Sequence, residues 1–346
     1  MKKLYLGLDI GGQSIKGIAL DGEGRVAGEY SAQTPGPQGT EAVLSAIEAG
    51  IEGLGSHGTV VSVGVGTPGG VDKEGRVVGM SANIPGWFGT ALGERILRMA
   101  KGAPTVVRND GNIAAYAEWA VRRDQSKILL FVGLGTGIGG GYVIDGEILG
   151  GRNDRALEIG HCIVEPAGRR CVCGVEGCAE AYASGPSMGR IAMDLALGKN
   201  ARIGSLAPSH GSWAEGKSPL ALLAREGAVL NAREVYSAYY KKDPLAEYVD
   251  GVAANALART VAAALAILAP DTVVLGGGVL DGARHLLSAL ALKMPSLVYG
   301  DAWRSCEFEA AALQSKAGLL GAAWYGASRI LPQEELFDLI GAATLR

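Results

Sequence analysis

The same short plan occurs twice in this chain. Lys3 to Asp21 reads as an apolar strand, a turn at Asp9-Ile10-Gly11-Gly12, and a second strand from Ser14 to Leu20 that returns beside the first. About 125 residues later the apolar run Ile128-Leu129-Leu130-Phe131-Val132 enters the glycine turn GLGTGIGGG and leaves as Tyr142-Val143-Ile144-Asp145. Two copies of one strand–turn–strand plan imply a duplicated α/β architecture.

Between the copies, the apolar spacing predicts a helix over Ala42 to Leu54, a buried strand over Val60 to Val65 ending in GTPGGVD, and a helix from about Gly89 to Ala100. A strand at Thr105 to Val107 and a helix at Ile113 to Arg122 follow. After Asp145 come a Cys/Gly-rich loop, a polar and Ala-rich helical region from Pro186 to about Tyr248 that includes a surface loop at Asn200 to Lys217, a helix over Val252 to Leu268 and a strand over Thr272 to Leu275. Such alternation points to α/β layers with mixed sheets. The expected domains are residues 1–122, completed by the C-terminal helix at 331–346, and residues 123–330, with a metal loop at 161–180 and a helical insertion at about 187–248.

Composition narrows the function. The chain has 346 residues, 48% hydrophobic and 19% charged, which suits two domains with a sizeable core. A net charge of −3 without a run of like charges gives no footprint for nucleic acid or an anionic membrane. The first residues, Met1 to Asp9, hold too short an apolar run for a signal segment, so no export is expected. The most apolar long stretch, Val252 to Ala269, contains Asn255, Arg259 and Thr260 and reads as a core helix rather than a membrane span. Five cysteines, with Cys171, Cys173 and Cys178 crowded into one segment, suit a metal site in a reducing, cytoplasmic setting better than a disulfide framework. The 54 glycines are roughly twice what an average usage of about 7% gives, and suggest tight turns and close backbone approach to a ligand.

Both glycine turns place flexible backbone N–H groups where the chain leaves a strand, where they can either wrap phosphate oxygens or simply close a hairpin. Gly133 to Gly141 lacks the Lys-Ser/Thr of a P-loop and is followed by a strand, so neither nucleotide fingerprint fits. Asp9 opens the first turn. Asp110 ends the strand Val106-Val107-Arg108-Asn109-Asp110, where α/β proteins place reactive groups, although an Asp at the head of a helix also serves as an N-cap. His161 with C-V-C-G-V-E-G-C offers three thiols and an imidazole, a closed tetrahedral set for structural Zn²⁺. Cys162 and Cys306 stand outside that pattern. A metal fixing this loop would bring Glu158 and Glu180 near each other, and carboxylates beside an imidazole recognise sugar hydroxyls.

The set DIGGQSIKG, GTPGGVD, NIPGW, NDGNIAAYAEW, GLGTGIGGG, EIGH, CVCGVEGCAEAYASG and VVLGGGV, in this order from Asp9 to Val279, resembles the ROK family of bacterial sugar kinases and repressors, within the hexokinase and actin-like ATPase superfamily. The resemblance implies a two-domain actin-like ATPase (ribonuclease H-like) α/β fold, mixed sheets flanked by helices, a zinc-stabilised loop, and nucleotide and sugar between the domains. It makes Asp110 the general base toward a sugar hydroxyl and lines the sugar with Asn83, Asn109, Glu158, His161 and Glu180. It gives the phosphates and Mg²⁺ to Asp9, Gly11, Gly12, Gln13 and Lys16, the nucleotide phosphates to Gly135, Thr136 and Gly137, and the adenosine to Gly276 and Gly277. His161, Cys171, Cys173 and Cys178 match the family's zinc ligands. ATP with Mg²⁺ and a hexose are the implied substrates and a homodimer the implied assembly, with neither nucleic acid nor membrane as partner.

One departure concerns the donor: Gln13-Ser14 stands where the family usually has Thr-Lys, and the IKG ending is shared with polyphosphate-using relatives. Glucose is the expected acceptor, but kinases of N-acetylmannosamine, N-acetylglucosamine, mannose, fructose and allose share nearly all these residues. The rivals are a sugar-responsive repressor, for which no helix-turn-helix is expected ahead of Asp9, and a catalytically silent sugar-binding protein.

Overall fold

A computed structural model describes residues 2–79, 84–209, 213 and 217–344. Its strands are Lys3–Ile10 (β1), Ser14–Asp21 (β2), Val26–Gln33 (β3), Thr59–Thr67 (β4), Thr105–Asn109 (β5), Ile128–Leu134 (β6), Ile138–Ile144 (β7), Glu147–Ile148 (β8), Thr272–Gly276 (β9) and Glu307–Ala310 (β10). The helices are Thr40–Gly55 (α1), Leu92–Met99 (α2), Asp110–Ala120 (α3), Glu180–Ala183 (α4), Gly185–Ala196 (α5), Pro219–Arg225 (α6), Ala232–Tyr239 (α7), Pro244–Leu268 (α8), Leu286–Lys293 (α9), Ala317–Ser328 (α10) and Gln333–Thr344 (α11).

The duplication read from the glycine turns is a duplication of topology. One sheet has the order β3-β2-β1-β4-β5 and the other β10-β9-β6-β7-β8. Within each, the third, second, first, fourth and fifth strands in chain order lie side by side, read from opposite ends. Both sheets are mixed: β1 pairs β2 antiparallel and β4 parallel, while β7 pairs β8 antiparallel and β9 pairs β10 parallel. The sequence reading passed over β3, an outer strand whose residues alternate between exposed and half-buried and which holds a glycine and two charged or amide side chains, Glu29 and Gln33. Its place comes from the ladder offered by β2, not from an apolar run.

By contact pattern the chain divides into two units. The first comprises Met1–Phe131, Gly141–Leu157 and Ala312–Arg346, the second Val132–Gly140 and Glu158–Ala311. In the first unit, β1 is buried without a break from Leu4 to Leu8, so that Tyr5 and Gly7 are covered on one face as Leu4, Leu6 and Leu8 are on the other, the pattern of a central strand. Successive residues of a strand point to opposite faces. Gly17, opposite Leu8, meets Leu54 of α1, whereas Gly7 meets Leu319 and Ala323 of α10, so these helices cover opposite faces. The approach of α10 is backbone to backbone: a Cβ on Gly64 of β4 would collide with the carbonyl of Ala322. Gly64→Ala is therefore expected to destabilise the protein by roughly 1–3 kcal/mol through overpacking. A urea midpoint unchanged from the parent would contradict that contact.

In the second unit, α8 is long and apolar enough to cross a membrane, but 61% of its most apolar window is buried within the protein. Its polar residues are also partnered there. Asn255 donates to the Leu206 carbonyl at 3.0 Å, and Arg259 donates to the Val164 carbonyl at 2.7 Å and to Ser205 Oγ at 2.9 Å. This is the arrangement of a core helix.

Candidate functional site

In the first unit, the β1–β2 turn is pinned from outside. Gly11 N–H donates to the Ser14 carbonyl, Thr34 Oγ1 donates to the Gly11 carbonyl at 2.6 Å, and Thr34 N–H donates to the Gln13 carbonyl at 3.0 Å. Gly11 and Gly12 are half-buried and Gln13 is exposed at the tip. Asp9 lies opposite Lys16 in the hairpin register. Burial pushes the Asp9 carboxyl above the usual carboxylate range, and the Lys16 ammonium offsets part of this. For an acid whose pKa is raised on folding, stability is lost as pH climbs from the ordinary value of 3.8 through the folded one. Asp9→Asn is thus expected to be more stable than the parent at neutral pH, with the difference shrinking as the pH falls toward 4. Unfolding curves at both pH values test this; equal stability at neutral pH would overturn it.

The head of α3 shows which side chain caps it. The N-cap is Asn109, whose Oδ1 accepts from Gly111 N–H at 2.9 Å and Asn112 N–H at 3.3 Å, while its Nδ2 donates to the Gly69 carbonyl at 3.2 Å. Asp110 is the first helical residue and half-buried, and its Oδ1 accepts from Gly111 N–H at 2.9 Å. Capping therefore falls to the neighbour, which keeps one amide hydrogen for a ligand. Asn83 lies outside the described residues. Beside it, Ile84 and Trp87 are buried, and Trp87 Nε1 donates to Thr67 Oγ1 at the end of β4.

In the second unit, the glycine turn, two glutamates and the histidine converge. Gly133 to Gly139, Glu158, His161, Glu180 and Gly277 line one open cavity of about 370 Å³. Gly135 N–H donates to the Gly137 carbonyl, and Gly185 N–H donates to the Gly135 carbonyl, leaving Thr136 exposed at the tip. Gly277 follows β9 with φ 88°, and a Cβ there would collide with the Leu134 carbonyl, so only glycine fits where the two segments meet. Gly276, the last residue of β9, is buried.

The metal-loop residues form a compact cluster. One ligand atom from each of His161, Cys171, Cys173 and Cys178 lies within 4.8 Å of all the others. Cys173 Sγ is 3.7 Å from Cys178 Sγ, and Cys171 Sγ is 3.8 Å from His161 Nδ1. The edge of a tetrahedron around Zn²⁺ with Zn–S bonds of about 2.3 Å is about 3.8 Å, so the donor set fits that ion. Burial pushes the Cys178 thiol up to about 12, and burial also raises Cys171. At Cys173 burial acts the same way but is outweighed by the Val175 N–H and the neighbouring thiols, which bring it below the usual range.

Glu180 joins this cluster to the glycine turn. Its Oε2 accepts from Ile138 N–H at 2.8 Å, and its Oε1 lies 3.6 Å from Cys171 Sγ. The carboxylate is buried at the start of α4, whereas Glu158 is exposed and His161 half-exposed, each open to the cavity. The sequence reading missed two residues packed against Asn109: Arg108, which pairs with Asp154 at 2.6 Å, and Asp154 itself. No local spacing links positions 108 and 154.

A family model described as ROK family matches residues 5–328. The glucokinase of Halalkalibacterium halodurans is 32% identical over 327 residues, covering 92% of this chain and 94% of its own. Among solved structures, the ROK hexokinase of Thermus thermophilus has a TM-score of 0.75 at 29% identity, over 95% of this chain and 99% of that one. A ROK family glucokinase from Streptomyces griseus, solved with glucose and AMPPNP, has a TM-score of 0.72 at 31% identity, over 94% and 99%.

Proposed function

The chain belongs to the ROK family, and from that membership we propose that it is a sugar kinase transferring the γ-phosphoryl group of ATP to the C6 hydroxyl of glucose or a related hexose. One observation carries the reading: a glycine turn able to bear phosphate oxygens and three groups able to pair with sugar hydroxyls line the same cavity. The glucokinase relatives support glucose as the acceptor.

In this mechanism Asp110 orients the acceptor hydroxyl and takes its proton as the oxygen attacks phosphorus. Asn83 and the remaining amide hydrogen of Asn109 hold the sugar, with Glu158, His161 and Glu180 on its other hydroxyls. Backbone N–H groups at Gly135, Thr136 and Gly137 take phosphate oxygens, and Gly276 and Gly277 leave room for the adenosine. Asp9, Gly11, Gly12, Gln13 and Lys16 serve the phosphates, with Asp9 the carboxylate for the Mg²⁺ that accompanies ATP. That ion supplies charge neutralisation on the transferred group. His161, Cys171, Cys173 and Cys178 would hold Zn²⁺ in a structural role, and Glu180 would pass the position of the loop to the turn. Five free cysteines suit a reducing, cytoplasmic setting.

The test is a set of initial rates with glucose, mannose, fructose, allose and the N-acetylhexosamines as acceptors, and with ATP and polyphosphate as donors, the latter because of Gln13-Ser14. Saturable transfer to glucose from ATP is expected. Binding of sugar without transfer from either donor would replace the kinase by a silent sugar-binding protein.

A further inference from the structure

The strand end that carries Asn109 lies on an edge. β5 is the terminal strand of its sheet and pairs there with β4, so its outer backbone groups face no further strand. Asn109 N–H is nevertheless satisfied: it donates to Asp154 Oδ2 at 3.0 Å. The same oxygen accepts from Arg108 Nε at 2.6 Å, and Arg108 Nη1 donates to Tyr325 Oη at 2.8 Å. Tyr325, on α10, stands edge-on to Tyr116 of α3 with ring centroids 4.9 Å apart. A closed loop of contacts thus runs from α10 through Arg108 and Asp154 to the backbone of Asn109, and from Tyr116 back to the helix that Asp110 begins.

The loop carrying Asp154 turns sharply to reach this place. Asn153 and Asp154 have φ 60° and φ 54°, successive left-handed residues that are not glycine. Asn and Asp adopt this conformation more readily than other side chains do, so each costs only about 1 kcal/mol, and the path is held by its surroundings. Here Val71 N–H holds the Asn153 carbonyl and Ala156 N–H holds the Gly150 carbonyl, both at 2.9 Å. Asp154 is buried, and Arg108 beside it is mostly so. An ion pair of this kind adds little by itself to stability, since replacing a buried pair by apolar residues is often neutral.

What the arrangement does supply is aim. A reacting group misplaced by about 1 Å loses about 10²-fold in rate, and Asp110 follows directly on the peptide that Asp154 holds. We propose that Asp154 is a positioning residue for phosphoryl transfer: its carboxylate, held by Arg108, fixes the backbone of Asn109 and through it the direction of the Asp110 carboxylate. This rests on the reading of Asp110 as the base.

The test is a double-mutant cycle on the full-length protein, comparing the parent, Asp154→Ala, Asp110→Ala and the double variant, with Asp154→Asn as the conservative control. Asp154→Ala is expected to lower kcat by roughly 10- to 100-fold while the KM for ATP stays within about twofold and the KM for sugar, which Asn109 also holds, rises by no more than a few-fold. Asp154→Asn keeps an oxygen for Asn109 N–H and is expected to recover most of that loss. In the Asp110→Ala background, removing Asp154 should cost nothing further, because there is no base left to aim. If the alanine protein does not fold, Arg108→Met combined with Asp154→Ala leaves no unpaired cation and carries the same comparison. A normal kcat for Asp154→Ala beside an inactive Asp110→Ala overturns the positioning role alone, as does full additivity of the two losses. Full turnover in Asp110→Ala removes the base assignment instead, and the proposal with it.

Discussion

Asp110→Ala is expected to lower kcat by about 10² to 10⁴, the range that general-base catalysis commands, with little change in the KM for sugar. The structure makes this a clean experiment, because Asn109 and not Asp110 caps α3 through Gly111 and Asn112. The alanine variant keeps that cap and loses one carboxylate from a helix N-terminus, a cost of about 0.3–1 kcal/mol. Melting temperature and metal content should therefore stay near the parent values while turnover collapses. Asp110→Asn is the sharper control, since it keeps the shape and an oxygen for Gly111 N–H while removing the charge and the basicity. Turnover within a few-fold of the parent in both variants would end the assignment of Asp110 as base.

Removal of the metal by a chelator, or Cys178→Ser, is the second large effect. Structural Zn²⁺ contributes roughly 10–16 kcal/mol in small peptides that fold only around it. This loop has other supports: isolated bridges pair Ile163 with Cys178 and Arg170 with Glu176, and Glu176 is held by Arg202. Only part of that sum is at stake here. A loss of about 3 kcal/mol would lower the melting temperature by about 6–12 °C for a domain of this size. Because Glu180 lies against Cys171 and also holds Ile138 N–H, the sugar KM should rise with the loss of metal. Unchanged melting and unchanged KM after verified metal removal would show that the four residues are no structural metal centre.

The two effects differ in how far the sequence anticipated them. The cysteine cluster was legible because side chains able to share one ion must be close in space, and a short loop with C-V-C-G-V-E-G-C brings three of them together with few intervening residues. His161 was legible for the same reason, ten residues before Cys171. The role of Asp110 was only half legible, since a carboxylate before a helix is compatible with capping as well as chemistry. The hydrogen bonds of Asn109 assign the cap to that residue, and the chemical role of Asp110 is what its substitution tests.

The chain by itself determined what depends on neighbours in sequence. Apolar runs set the central strands β1 and β6, the glycine turns after them set the hairpins, and the recurrence of that plan set the doubled α/β topology now seen in two sheets of one strand order. Tertiary structure alone decided the rest. It placed β3 on the edge of a ladder. It gave Glu118 of α3, fully buried, the N–H groups of Ala312 and Leu313 at 2.9 Å each, and it brought Asp154 to the open edge of β5. The physical reason is common to all three. A buried or edge polar group must find a partner wherever the closed chain puts one, and partners 46 or 194 positions away leave no periodicity in the sequence to read.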